Sequence, residues 1–168
     1  MKKALIVVDL QNYFIDERTM HLVEGIKKAI ESGDYDEIVF TRFINRPDSS
    51  FVRNGWEGCM ESPETDICPM LKPYLGDAAV FDKYGFSVFR AEGIHEYLKR
   101  KGIDEVHLCG TDTDACVLAS AYDGFELGYA VKVIEELCAS RNGKEYHQMG
   151  LSLLRKNLAI SADGTAKR

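Results

Sequence analysis

The stretch EVHLCGTDTDACVLASAYDGFELGYAVKVI, residues 105–134, decides the fold. Residues 105–109 form a mostly apolar run that ends in Gly110, as a buried strand does. A turn of Thr and Asp follows, then a helical stretch over 114–127, then a second apolar run at 130–134. Strand, helix and strand within roughly 30 residues make a crossover unit, which joins parallel strands with a right-handed hand.

The same alternation extends in both directions. Strands are predicted at 4–8, 37–42 and 78–81 and, more weakly, at 158–161. Leu22, Val23, Ile26 and Ile30 recur at helical spacing over 22–32. Ile94, Tyr97 and Leu98 do the same before the basic last turn and glycine stop of Lys99, Arg100, Lys101 and Gly102; a last helix covers 144–156. The fold class is therefore α/β: a doubly wound, Rossmann-like three-layer domain with a mainly parallel six-stranded sheet and helices on both faces. Residues 1–168 read as one domain with a C-terminal tail at 162–168.

Residues 44–74 resist this pattern. They hold all four prolines, Trp56 and two cysteines with little periodicity, and long irregular loops in compact domains are usually functional. Phe51, Trp56, Met60, Met70 and Leu71 place large apolar groups there. The loop is expected to be a lid or a subunit contact, with the chain a homo-oligomer, dimer or tetramer.

At 168 residues with 45% hydrophobic content, the chain can bury a substantial core. A net charge of -6, with no basic run longer than 99–101, argues against nucleic acid or an anionic membrane as partner. No apolar stretch approaches the ~20 residues of a membrane helix. Five cysteines without paired metal spacing suit a reducing, cytoplasmic setting.

Open sheets of this kind place their sites beyond the carboxyl ends of the strands. Asp9, Lys83 and Cys116 all fall at or just past such ends. Together they supply a thiol, a carboxylate and an ammonium, the parts of an activated sulfur nucleophile. Cys116 is expected in the first turn of its helix, where free N–H groups and the cation would lower its pKa.

VVDLQNYF (7–14), FDKYGFSVF (81–89) and GTDTDACVLASAYDGFELGY (110–129) resemble the three hallmark regions of the isochorismatase-like cysteine hydrolases, a family that includes nicotinamidases, carbamoyl amidohydrolases and isochorismatases. The resemblance spans roughly residues 3–161. It implies that Cys116 is the nucleophile, Asp9 the acid/base and Lys83 the cation that stabilises the thiolate. It further implies a cis peptide between Thr111 and Asp112, and an oxyanion hole made by the N–H groups of Asp112 and Cys116. The reaction implied is hydrolysis of a small amide or carbamoyl compound through a covalent thioester.

Departures from the family pattern narrow this reading. Nicotinamidases carry an Asp-x-His and further histidines after the second strand to hold a metal, whereas this chain reads TRFINRPD at 41–48 and has no histidine between His21 and His95. No metal and no cofactor are therefore expected. Cys116 favours the amidase branch over vinyl ether hydrolysis; that activity, or a catalytically idle member of the fold that binds a small ligand or a partner protein, are the alternatives. Phe14, Trp56, Tyr84 and Phe86 are candidate apolar walls for a small-molecule substrate, and Arg42, Arg46 and Arg53 candidate partners for a carboxylate. His147 and Cys138 read as packing residues, and Cys59 and Cys68 as free thiols.

Overall fold

The computed structural model describes residues 1–158. Five strands, β1 (Lys2–Val8), β2 (Glu37–Phe43), β3 (Ala79–Lys83), β4 (Ile103–Thr111) and β5 (Ala130–Ala139), form one sheet in the order β3-β2-β1-β4-β5. Every pairing is parallel. The sheet thus has five strands among the described residues where the sequence suggested six. Of the expected sixth stretch only Leu158 is described, just past the last helix; 159–161 and the tail at 162–168 lie outside the described residues.

Side chains alternate across β1. Ala4, Ile6 and Val8 face a core shared with α3 (Ile94–Lys101), α4 (Leu118–Glu126) and α5 (Lys144–Asn157). Leu5 and Val7 face the opposite core, with Leu22, Val23 and Ile26 of α1 (Leu22–Glu31). β1 therefore needs an unbroken apolar run, since both faces are covered. Leu5 and Ile6 are fully buried, each stabilising the fold by ~1.5–3 kcal/mol relative to exposure. Among the described residues, no helix is long and apolar enough to cross a membrane.

The chain winds outward from β1 through β2 to β3, then crosses back to lay β4 on the other side of β1. The order reverses at β1, so the crevice opens beyond the ends of β1 and β4. Gly110 makes that crevice narrow: at φ 112° it lies so close to β1 that a Cβ would stand 2.2 Å from the Val8 carbonyl oxygen. Only glycine fits there.

β5 runs past its expected end at Ile134 to Ala139. Glu135 and Glu136 interrupt the apolar run, and a register shift opposite Leu108–Gly110 absorbs the interruption. Cys138 and Ala139 then pair with Gly110 and Thr111, which carries the chain into the crevice.

Residues 44–74 fold back over their own subunit. Gln11 is fully buried and fastens the segment: its side chain donates to the Phe43 and Thr65 carbonyls at 2.8 and 3.0 Å and accepts from Phe43 N at 2.7 Å. Asn45 holds the next bend through the Trp56 and Gly58 carbonyls, and Ser49 caps the short helix α2 (Ser50–Arg53). Trp56 stacks on Phe43 and donates to the Tyr13 hydroxyl at 2.7 Å. Leu71 is fully buried and Phe51 packs against Phe43 and Trp56. The apolar groups that suggested a subunit contact are thus largely covered within the chain, with Met70 left exposed.

Candidate active site

Asp9 is the first residue past β1, with φ 51°, a region that Asp tolerates better than most residues. Thr41 of β2 holds it, donating to Asp9 Oδ1 at 2.8 Å. Lys83, the last residue of β3, is completely buried, and its Nζ stands 2.7 Å from Asp9 Oδ2 and 3.4 Å from Cys116 Sγ. The ammonium also donates to the Gly85 and Phe86 carbonyls at 2.9 and 2.8 Å, so every direction around it is occupied by an acceptor. Burial pulls the Lys83 pKa down, but Asp9 and Cys116 outweigh it and leave the group above its ordinary value.

Cys116 lies in a π-helical turn, Thr113–Val117, that leads from β4 into α4. It is the one cysteine of the five that keeps some exposure. The peptide between Thr111 and Asp112 is cis. The Asp112 carbonyl accepts from both Ala115 N and Val117 N at 3.1 Å, which closes the turn around the sulfur. Ser120, fully buried, donates to the Cys116 carbonyl at 2.6 Å and accepts from Val88 N, fastening the turn to the segment after Lys83.

The expected lowering of the Cys116 pKa is overturned. Burial pushes the thiol up, Lys83 opposes this, and the negative charge of the nearby Asp9 carboxylate reinforces it; the result is a raised pKa. Sequence shows that a cation is near but not how dry the site is, and here desolvation wins.

Cys116 opens into a cavity of about 330 Å³. Phe14, Phe43, Phe51, Trp56 and Phe86 form its apolar walls, and Asp112, Arg141 and Asn142 its polar side. Of the expected walls, Phe14, Trp56 and Phe86 are present. Tyr84 is not: it points the other way from Lys83, into a separate surface depression, under the Arg46 guanidinium at 4.5 Å. Arg42 is paired bidentately to Asp82, and Arg53 bonds the Asp48 carbonyl and Ser50, so none of the three expected arginines lines the cavity.

The cavity's cation is Arg141, just beyond β5. Its guanidinium lies 4.5 Å over the Phe14 ring and 3.4 Å from Asp112 Oδ2, while its N–H donates to Asp112 Oδ1 at 3.0 Å. Burial raises the Asp112 pKa, with Arg141 acting against it. Sequence reading missed Arg141 because it closed β5 at Ile134; its place after the true strand end was the available signal. His147 bonds Thr113, and Cys138, Cys59 and Cys68 are buried free thiols. Among the described residues no three His, Cys, Asp or Glu side chains converge as a metal site would require.

The family model for the isochorismatase domain matches residues 3–165. The chain belongs to the isochorismatase family and is a hydrolase of that class. It is 29% identical over 163 residues to the nicotinamidase/pyrazinamidase of Mycobacterium tuberculosis, covering 82% of this chain and 86% of that one. Among solved structures, an isochorismatase-like hydrolase from Alkaliphilus metalliredigens superposes with a TM-score of 0.83 at 26% identity, over 93% of this chain and 92% of that one. N-carbamoylsarcosine amidase from Thermoplasma acidophilum gives 0.79 at 27% identity, over 94% and 92%.

Proposed function

We propose that this enzyme hydrolyses a small amide or carbamoyl compound through a thioester on Cys116, without a metal. The observation that carries the reading is the buried Lys83 ammonium, within 2.7 Å of Asp9 Oδ2 and 3.4 Å of Cys116 Sγ. Such a bridge lets the thiol proton pass to Asp9 while the sulfur stays beside a fixed positive charge.

Attack of the sulfur on the carbonyl carbon moves the thiol proton to Asp9 and leaves an oxyanion. The N–H groups of Asp112 and Cys116 are assigned to receive it, since the Ala115 and Val117 N–H groups are already committed to the Asp112 carbonyl. Collapse breaks the C–N bond, and Asp9 returns its proton to the departing amine. Water then attacks the thioester and gives a proton to Asp9, which restores the thiol as the acid leaves. Lys83 keeps its proton throughout, in line with its raised pKa.

The aromatic walls suit a flat substrate body, and Arg141 on the polar side offers a carboxylate partner. N-carbamoylsarcosine amidase, one of the structural relatives, is named for a carbamoyl substrate. The free thiols fit a reducing compartment such as the cytoplasm. A homo-oligomer would draw on the exposed Tyr146, Met149 and Leu153 of α5 rather than on the lid.

The test is ammonia release from a panel of small amides, ureido acids and carbamoyl compounds, run beside Cys116→Ala. Turnover lost in the variant supports the reading. Turnover that persists in it removes the covalent mechanism.

A further inference from the structure

His147 stands on α5, outside the cavity and without a place in the steps above. Its Nδ1 meets Thr113 Oγ1 at 2.8 Å. Thr113 is completely buried and opens the turn that carries Cys116. Three residues further on, the same face of α5 presents Gly150, so close to that turn that a Cβ would lie 2.9 Å from the Thr113 carbonyl oxygen and 3.0 Å from Asp114 Cα. α5 is therefore seated directly on the back of the nucleophile's turn. Gly150 sets the approach, and His147 is the polar tether.

The tether's target matters because Thr113 follows Asp112 directly. A shift of the Thr113 backbone moves the adjoining Asp112 carbonyl, which closes the turn by accepting from Ala115 N and Val117 N, and so disturbs the residue whose N–H is assigned to the oxyanion under the reading above. From the other side, Arg141 holds the Asp112 carboxylate through its backbone N–H at 3.0 Å and its side chain at 3.4 Å. A buried threonine hydroxyl without a partner is costly, so loss of the ring would drive the turn to seek another arrangement.

We propose that His147 is a positioning residue: by holding the Thr113 hydroxyl, it fixes the Asp112 and Cys116 N–H groups in the orientation that turnover needs. The assignment rests on the reading of Cys116 as the nucleophile. Burial lowers the His147 pKa, with Glu135 and Asp114 acting to raise it and Arg155 and His21 to lower it further; Arg18 and Lys144 share the cleft beside it. The lowered pKa favours the neutral ring, whose Nε2–H tautomer would accept the threonine proton at Nδ1.

The experiment compares wild type, His147→Leu, His147→Asn, Thr113→Val and the double variant His147→Leu/Thr113→Val, by steady-state ammonia release and thermal melting. An asparagine amide oxygen falls near the imidazole Nδ1 and restores the acceptor, whereas leucine is the better helix former. A loss in Leu that Asn repairs therefore cannot come from helix stability. Expected are a fall in kcat of about 10- to 100-fold in His147→Leu with KM changed little, recovery in His147→Asn to within about threefold of wild type, and a double variant no slower than His147→Leu. Full kcat in His147→Leu, equal losses in Leu and Asn, or a double variant in which the losses multiply would each overturn the proposal. If wild type shows no Cys116-dependent turnover, the nucleophile reading fails instead. Iodoacetamide alkylation of Cys116, which needs no substrate, then decides the tether: a rate altered in Leu and restored in Asn supports it, and equal rates in all three reject it.

Discussion

Lys83 Nζ and Asp9 Oδ2 lie 2.7 Å apart with both side chains almost wholly withdrawn from solvent. Two opposite charges in so dry a place compensate each other. Removing one leaves the other uncompensated, which costs ~3–5 kcal/mol. Asn accepts the positive φ of position 9 as readily as Asp, so Asp9→Asn changes charge with little backbone strain. It should abolish turnover and lower the melting temperature. Adding Lys83→Met should recover part of the stability and none of the activity, as read by calorimetry and ammonia release. A double variant less stable than Asp9→Asn would contradict the buried-pair account.

Alkaline pH should unfold the protein early. Burial raises the pKa of Cys59 to about 12 and also raises those of Cys109, Cys116 and Cys138, against ~8.5 in an unfolded chain. The folded state therefore keeps thiol protons that the unfolded state gives up. This stability is fully present below pH ~8.5 and falls by at most ~1.4 kcal/mol per pH unit for each thiol above it. Chemical denaturation at pH 7, 9 and 10 measures the slope, and a flat profile would show that the thiols are not buried as described.

The same desolvation governs alkylation. Cys116 alone keeps some exposure, so it should be the native protein's iodoacetamide site. Its rate should climb with pH through the alkaline range instead of levelling near pH 6, as it would for a preformed thiolate. Peptide mapping after timed labelling gives both the site and the profile.

Substrate contacts should divide between the two sides of β3's exit. Trp56→Ala opens a cavity wall and should raise KM, whereas Tyr84→Ala, outside the cavity, should leave kinetics near wild type. Arg141→Gln should weaken carboxylate-bearing substrates by about tenfold or more, the weight of one charge-assisted hydrogen bond at ~1.5–3 kcal/mol, and cost neutral amides less, since the backbone N–H of residue 141 still holds Asp112 Oδ1 at 3.0 Å. Equal losses on both substrate types would remove Arg141 from the binding role.

Activity should survive EDTA and dialysis, because the end of β2 offers Thr41, Arg42 and Phe43 where a metal site would need imidazole and carboxylate donors. Activity lost on chelation and restored by zinc or iron would contradict this.

Asp9, Lys83 and Cys116 were legible in sequence because each ends or follows an apolar run that must lie in the sheet, and strand ends converge in this fold. Tyr84 failed as a wall residue because consecutive residues leaving a strand point to opposite sides; Lys83 faces in, so its neighbour faces out. Arg141 was hidden by Glu135 and Glu136, which look like a strand end until the register shift against β4 is seen. The sign of the Cys116 shift was not readable at all. Motif spacing reveals neighbours, while burial depends on how Phe51 and Trp56 of the 44–74 segment pack with Phe43 around the cavity.

The central claim is a covalent bond between Cys116 and the substrate's acyl or carbamoyl group. Rapid acid quench of a turnover mixture, followed by intact-mass and peptide mass spectrometry, tests it most directly. A mass increase equal to the substrate less its amine is expected, carried by the peptide holding Cys116 and removed by hydroxylamine. Turnover with no such adduct, together with undiminished activity in Cys116→Ala, would contradict it.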